Sequence, residues 1–249
     1  MRQIIRAGTA KEKLYHRVID DLTGGGMPVL VGGTYAFGAY VRTNRPIKDL
    51  DLFCLPKDVG RIFRFFKRAG LRTELTDKRW LGKIFDSRSY VDIIFRSSNR
   101  KIPVSGTWFR HARTGAVLGR KVKLIAPEEL ILSKFSVMSR DCFHGHDIYK
   151  LIHKLGRELD WRRIWKTVKK DWQVLKAHVL LFDFVYPGER NNVPAWLRRT
   201  LLREEARSKR AVRGSSGHRG RELSLVDYAT PSELKKIHAH PLFERRKIS

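Results

Sequence analysis

The feature that most constrains this chain is a pair of consecutive glycines that follows a short apolar run. Residues 28–31 are apolar and few enough for a buried strand, and Gly32 and Gly33 come directly after them. Two glycines allow a tight turn and leave the backbone amides uncovered. We predict that Thr34 caps a helix over residues 35–41, whose N-terminus attracts phosphate.

Two aspartates follow in a segment with strand character. Asp49 and Asp51 flank Leu50, and side chains two apart on a strand point to the same face. Two adjacent carboxylates repel each other unless a positive charge lies between them. A Mg²⁺ ion that carries a triphosphate would supply this charge, because Mg²⁺ prefers a few carboxylates together with substrate phosphates.

A third aspartate, Asp92, lies in the otherwise apolar segment 90–95. A buried charge is costly without a counter-charge. One interpretation is a metal shared with Asp49 and Asp51. The alternative is an aspartate at a strand edge that pairs with a nearby arginine.

This order of motifs resembles the nucleotidyltransferase superfamily typified by DNA polymerase beta, over about residues 27–95. The resemblance implies that Asp49, Asp51 and Asp92 are the catalytic, metal-binding acids. It also implies that nucleotide phosphates bind at Gly32, Gly33 and Thr34.

A second stretch, residues 134–147, is similar to a downstream motif of the abortive-infection-type nucleotidyltransferase toxins. By position, Lys134 would contact nucleotide phosphates, Arg140 would support the phosphates or the helix junction, and Asp147 would lie at the active-site cleft. Here the usual Lys-Asp pair is His146-Asp147, and Lys150 stands where a second acid is expected. The alternative is that Lys134 faces solvent and Asp147 caps a helix that starts at Ile148.

Charge points to a polyanionic partner. Lys and Arg total 52 against 25 acids, a net charge of +27, which favours nucleic acid over an anionic membrane surface. The alternative is a solvated basic surface. Two cysteines allow one disulfide bridge at most, and neither a membrane span nor a signal-peptide core is present in the sequence, so we expect a cytoplasmic protein.

The remaining pattern predicts an α+β fold, a mixed-sheet nucleotidyltransferase core followed by a helical C-terminal part. We expect a core over residues 1–126, a helical domain over 127–206, and a basic flexible arm with a short terminal helix over 207–249. Within these we predict helices at 11–22, 56–69, from 127, at 160–182 and at 195–207, and a final helix at 231–239. Strand-like runs lie at 71–75, 80–85, 90–95 and 121–125, and residues 97–120 are predicted as loop with short strands. The apolar stripe of the first helix consists of Leu14, Tyr15, Val18, Ile19 and Leu22.

The resemblance implies transfer of a nucleotide from a nucleoside triphosphate, such as ATP, to a hydroxyl acceptor. Two Mg²⁺ or Mn²⁺ ions would be held by the three acids, and Asp92 would act as base or as a ligand of the acceptor-side ion. The strong positive charge argues against a polycationic drug as acceptor and ranks RNA first, such as a tRNA 3′ end. The alternatives are a protein-modifying enzyme of a toxin–antitoxin pair, or a nucleic-acid-binding protein without catalysis.

Overall fold

A computed structural model describes residues 9–41, 43, 47, 49–87, 89–99, 102–138 and 143–213. Strands lie in the first part of the described chain, and the part after residue 126 is helical. The strands are β1 (Leu30–Val31), β2 (Asp51–Phe53), β3 (Arg72–Asp77), β4 (Leu81–Phe85), β5 (Tyr90–Ile94), β6 (Arg113–Val117) and β7 (Arg120–Leu124). The helices are α1 (Thr9–Gly24), α2 (Gly33–Tyr40), α3 (Val59–Arg68), α4 (Gly106–His111), α5 (Pro127–Ser136), α6 (Gly145–Leu155), α7 (Trp161–Val168), α8 (Trp172–Val185) and α9 (Ala195–Arg213).

The strands form one mixed sheet, in the order β3-β4-β5-β2-β1-β7-β6. The pairs β2–β5 and β1–β7 are parallel, and the other neighbouring pairs are antiparallel. Parallel neighbours need long crossover connections. The connection from β2 to β5 contains α3, β3 and β4, and the connection from β1 to β7 contains the elements from α2 to β6. The predicted α+β architecture, a mixed-sheet core followed by helices, is confirmed.

The first helix packs its apolar stripe into the core. All five predicted stripe residues, including Tyr15 and Leu22, are at most 3% exposed. Further along, Pro56–Asp58 forms a single 3-10 turn before α3, whose buried side chains are Val59, Ile62 and Phe66. Phe63, on the same helix, is only partly buried.

The prediction of loop with short strands over residues 97–120 missed one helix, whereas the strand β6 agrees with it. A short helix, α4, runs through Gly106–His111, and β6 follows it as the outer strand of a hairpin with β7. Trp108 is the buried side chain of α4. A helix of six residues with one buried anchor has too few apolar positions to show a periodicity in sequence.

The long helix predicted over residues 160–182 is interrupted. It divides into α7 and α8 around a 3-10 turn, Lys169–Asp171. Neither proline nor glycine lies at this junction. The apolar spacing continues across the turn, so the sequence carries no signal for the break.

The last described helix is longer than predicted. α9 continues to Arg213, past the expected end near residue 207, so residues 207–213 are helical and do not belong to an arm. The helix predicted at 231–239 lies outside the described residues. The division into three domains stays a prediction. In the described part of the chain, no helix combines the length and apolar character needed to cross a membrane.

A buried ionic cluster joins α5 to α7. The Arg163 guanidinium contacts Glu128 at 2.7 Å and Glu129 at 2.8 Å, and both carboxylates are nearly inaccessible to solvent. Burial raises the pKa of Glu129 to about 7, against the opposing effect of Arg163. The cluster fixes α7 against α5, the helix that carries Lys134 on its last turn.

Candidate active site

Three carboxylates meet where β2 lies beside β5. The two strands are parallel, and Asp51 is directly opposite Asp92 in their register. The Asp92 amide donates to the carbonyl of Leu50 at 2.9 Å, which locks this register. Asp49 precedes β2 by two residues, so it does not itself lie in the strand. Each of the three acids offers one oxygen, and these oxygens lie within 4.8 Å of one another.

The turn formed by Gly32 and Gly33 packs directly against β2, which carries Asp51. Gly33 has φ +54°, and a β carbon there would lie 1.6 Å from Oδ2 of Asp51. A β carbon on Gly32 would lie 2.2 Å from the Phe53 ring. The amide of Gly32 also donates to the Asp51 carbonyl at 2.9 Å. The two glycines are therefore required by the close approach of β2 to the start of α2.

The predicted cap at Thr34 was wrong. The N-cap position of α2 is Gly32, without a side-chain hydrogen bond, and Thr34 lies inside the first turn of the helix. Because the helix begins at Gly33, one residue before Thr34, the hydroxyl cannot cap it. Thr34 does line the cleft beside the acids.

Burial and mutual repulsion disfavour the ionised forms of the three carboxylic acids. Burial first, and then the Asp49 and Asp92 carboxylates, raise the pKa of Asp51 to about 7, against the opposing effect of Lys134 and Lys83. Burial likewise raises the pKa of Asp92. The phenol of Tyr15 on α1 also has a raised pKa, from burial first and then from Asp49. A cation bound here would stabilise the ionised carboxylates.

Asp92 has a partner that sequence reasoning missed. The Lys83 ammonium donates to Oδ1 of Asp92 at 2.6 Å and lies 3.6 Å from the centroid of the Tyr90 ring. The counter-ion is thus a lysine where the sequence suggested an arginine. A signal was available: a hairpin closed by the turn Asp86–Ser89 places Lys83 opposite Asp92, which is the observed register.

Lys134 reaches the cleft from α5. Its ammonium lies 3.0 Å from Oδ2 of Asp147, and the other oxygen of that carboxylate, Oδ1, lies 2.9 Å from Nε2 of His146. Asp147 is 1% exposed and stands behind Lys134, away from the cleft lining. It lies within the first turn of α6 and does not cap a helix. Arg140 lies outside the described residues.

These elements surround one cleft of about 370 Å³. Its walls combine the carboxylates with hydroxyl, aromatic and basic side chains. Besides Gly33, Thr34, Lys134 and the three acids, they include Phe53, Trp80, Arg96, Ser97, Ser133 and His144. The glycine turn, the acids and Lys134, which are far apart in sequence, therefore share one space.

The oxygen donors fit a hard divalent cation. Opposite ligands of an octahedral Mg²⁺ are roughly 4.2 Å apart, close to the spread of the three acids. Asp49, Asp51 and Asp92 could hold such an ion. No group of zinc-type ligands is found among the described residues.

Comparison with solved structures identifies the fold. The solution structure of the antibiotic-resistance factor ANT(2'')-Ia matches with a TM-score of 0.50 at 18% identity, over 69% of this chain and 98% of that one. Lincomycin-bound LnuA, a lincosamide antibiotic adenylyltransferase, matches with a TM-score of 0.41 at 15% identity, over 57% and 96% of the two chains. An antigenic nucleotidyltransferase-like protein from Paracoccidioides brasiliensis matches with a TM-score of 0.39 at 14% identity, over 68% and 92%.

No protein-family profile matches the sequence, and no curated protein matches it either. The similarity to ANT(2'')-Ia shows that the chain has the nucleotidyltransferase fold. The predicted closeness to abortive-infection toxins stays a prediction.

Proposed function

We propose that this protein is a metal-dependent nucleotidyltransferase that transfers a nucleoside monophosphate from a triphosphate to a hydroxyl of RNA. The observation that carries the proposal is the convergence of Asp49, Asp51 and Asp92 beside the Gly33 turn. Neither the fold nor a cluster of acids alone indicates an activity. The three acids on a nucleotidyltransferase fold, beside a turn that can bind phosphate, together support metal-dependent nucleotidyl transfer.

In this proposal Asp49, Asp51 and Asp92 hold Mg²⁺ or Mn²⁺. The bound metal would neutralise the phosphate oxygens and lower the pKa of the acceptor hydroxyl. The backbone amide of Gly33 and the Thr34 hydroxyl then hold the terminal phosphates at the start of α2. The Gly32 amide, which was expected to join them, donates to the Asp51 carbonyl instead.

The remaining groups orient the substrate and move one proton. The acceptor oxygen forms a bond to the α-phosphorus while the bond from that phosphorus to the β-bridging oxygen breaks. Pyrophosphate leaves with the bonding electrons, and the hydroxyl proton passes to Asp92. Lys134, held by Asp147, compensates the charge on the phosphates.

RNA is favoured as the acceptor by charge. The net charge of +27 matches a polyphosphate backbone and opposes a polycationic drug. Arg96 and Lys134 line the cleft together with the acids, so the cleft is not uniformly acidic. These observations support RNA over an aminoglycoside-like acceptor, and a protein side chain stays the second candidate.

The test is transfer of label from an α-³²P nucleoside triphosphate to total RNA or to protein in the presence of Mg²⁺. We expect labelled RNA from the native protein and a loss of at least roughly 100-fold in Asp49→Ala and Asp51→Ala. Asp20→Ala is the matched control, because Asp20 pairs with Arg120 at the surface. Equal labelling by Asp49→Ala and the native protein would show that the site is wrongly assigned.

Label on protein with none on RNA would show that the acceptor is a protein, and the proposed nucleotidyl transfer would stand. Salt-sensitive RNA binding without turnover of any triphosphate, under Mg²⁺ or Mn²⁺, would instead indicate a binding protein that has lost catalysis.

A further inference from the structure

The position of Lys83 bears on how many metal ions this site can hold. The resemblance to the polymerase-beta-type enzymes implies two ions, with Asp92 serving the one on the acceptor side. In the structure, however, the Lys83 ammonium already lies 2.6 Å from Oδ1 of Asp92. A positive charge therefore stands beside the carboxylate that the second ion would need.

Two contacts hold Lys83 in this place. One is the hydrogen bond to Asp92, and the other is the face of the Tyr90 ring, 3.6 Å from the ammonium. Lys83 and Asp92 are also directly paired across β4 and β5, so the backbone fixes the base of both side chains. The Lys83 side chain is only 18% exposed, so water screens the pair weakly.

Lys83 reduces the negative charge that the acids present to metal ions. Asp49, Asp51 and Asp92 carry three negative charges when ionised, and Lys83 compensates the one on Asp92. The charge of the bound triphosphate would fall to the ion between Asp49 and Asp51 and to Lys134, which lines the same cleft. A second divalent cation on Asp92 would share its carboxylate with the Lys83 ammonium and would be repelled by it.

We propose that Lys83 replaces the acceptor-side metal ion, so that this site binds one divalent cation together with the nucleotide. The ammonium would neutralise Asp92 on the side where the acceptor approaches, and the single ion would lie between Asp49, Asp51 and the phosphates. This inference rests on the proposed nucleotidyl-transfer function and concerns the composition of the same site.

The experiment counts Mn²⁺ by electron paramagnetic resonance in the full chain saturated with a triphosphate analogue that cannot be cleaved at the α-phosphorus. Ions bound to free analogue are subtracted. We expect one Mn²⁺ per native chain and two in Lys83→Met, with the second bound at least roughly tenfold more tightly than any second ion in the native protein. Lys83→Arg keeps the charge and should retain one.

Lys123→Met is the matched control, because it removes an exposed lysine from β7 of the same sheet. It should bind one ion like the native chain. Thermal melting checks that each variant is folded, and Lys83→Gln takes the place of Lys83→Met if the latter does not fold.

The number of bound Mn²⁺ ions tests the role of Lys83 separately from the proposed nucleotidyl transfer. Two ions in the native protein would overturn the role of Lys83 and leave nucleotidyl transfer intact. One ion in both the native protein and Lys83→Met would also overturn it, because Lys83 would not be what excludes the second. No bound ion in the native protein would overturn the metal site itself and this inference with it.

Discussion

Oδ2 of Asp51 lies 1.6 Å from the point at which a β carbon would stand on Gly33. No side chain fits at Gly33 unless Asp51 moves. We therefore expect Gly33→Ala to displace the carboxylate, weaken Mn²⁺ and nucleotide binding by at least roughly tenfold, and destabilise the fold by more than the ~1 kcal/mol of positive-φ strain alone. Calorimetric titration and thermal melting measure both effects.

Gly26→Ala is the control for that experiment. Gly26 has a similar φ of +58°, and a β carbon there would have no atom within 4 Å. It should show the strain without the loss of binding. If Gly26→Ala and Gly33→Ala lose nucleotide affinity equally, the contact with Asp51 is not what matters.

The raised pKa of Asp51 predicts a pH-dependent cost in the metal-free protein. Its pKa is about 7, against an ordinary 3.8, so between these values the folded state keeps a proton that the unfolded state has lost. Stability should therefore fall as pH rises through this window. Asp51→Asn should reduce that fall and be more stable than the native protein at pH 8 by up to about 4 kcal/mol, measured by urea unfolding in a chelator. Glu129, whose pKa is also raised to about 7, contributes the part of the fall that remains.

Asp20→Asn provides the contrast. The hydrogen bond from Arg120 lowers the pKa of Asp20, so this exposed carboxylate contributes stability that is present above its ordinary pKa and is lost in acid. Its replacement should give no gain at pH 8. A native protein whose stability is flat from pH 4 to 7 would contradict the assignment to Asp51.

Lys134 and Asp147 should act as a unit on the nucleotide. Lys134→Ala removes a charge from the cleft wall and should weaken triphosphate binding by roughly 10- to 100-fold. Asp147→Asn keeps the lysine but removes the carboxylate 3.0 Å away that positions its ammonium. The loss of triphosphate affinity should therefore be smaller, roughly three- to tenfold. Fluorescent nucleotide titration compares them with Lys150→Ala, an exposed lysine on α6. A larger loss in Lys150→Ala than in Lys134→Ala would contradict this arrangement.

The cluster between α5 and α7 predicts a purely structural effect. Arg163→Ala leaves Glu128 and Glu129 buried without their partner and should cost about 3 to 5 kcal/mol of unfolding free energy. The neighbouring Arg162→Ala, which removes an exposed guanidinium above the Trp196 ring, should cost less than about 1 kcal/mol. Chemical denaturation at neutral pH distinguishes them, and equal losses would mean that the buried carboxylates do not depend on Arg163.

The sequence predicted the parts of the site that depend on local patterns. The glycine turn, the Asp49-Leu50-Asp51 alternation and the charge within an apolar strand were all visible, because strand periodicity and the cost of a buried charge are local rules. That Asp92 would lie beside Asp51 came from the interpretation of a shared metal, which left an alternative open, and from the family resemblance. Pairing between strands that are distant in sequence has no local signal.

The contacts between elements were missed. Lys83 became visible only through the hairpin register, and the pairing of Lys134 with Asp147 needed the packing of α5 against α6. The start of α2 at Gly33 was also missed, because the cap preference of a threonine was given more weight than the freedom of the second glycine. Each of these errors at the site concerns tertiary placement or a single-residue boundary.

The parallel pairing of β2 with β5 has a consequence for how this site can fail. Peptide hydrogen bonds set the separation of Asp51 and Asp92, so the spacing exists before any ligand arrives. A one-residue slip of β5 would turn Asp92 to the opposite face of the sheet. A substitution that shifts this register, even one far from the cleft, would abolish activity although all three acids remained in the sequence.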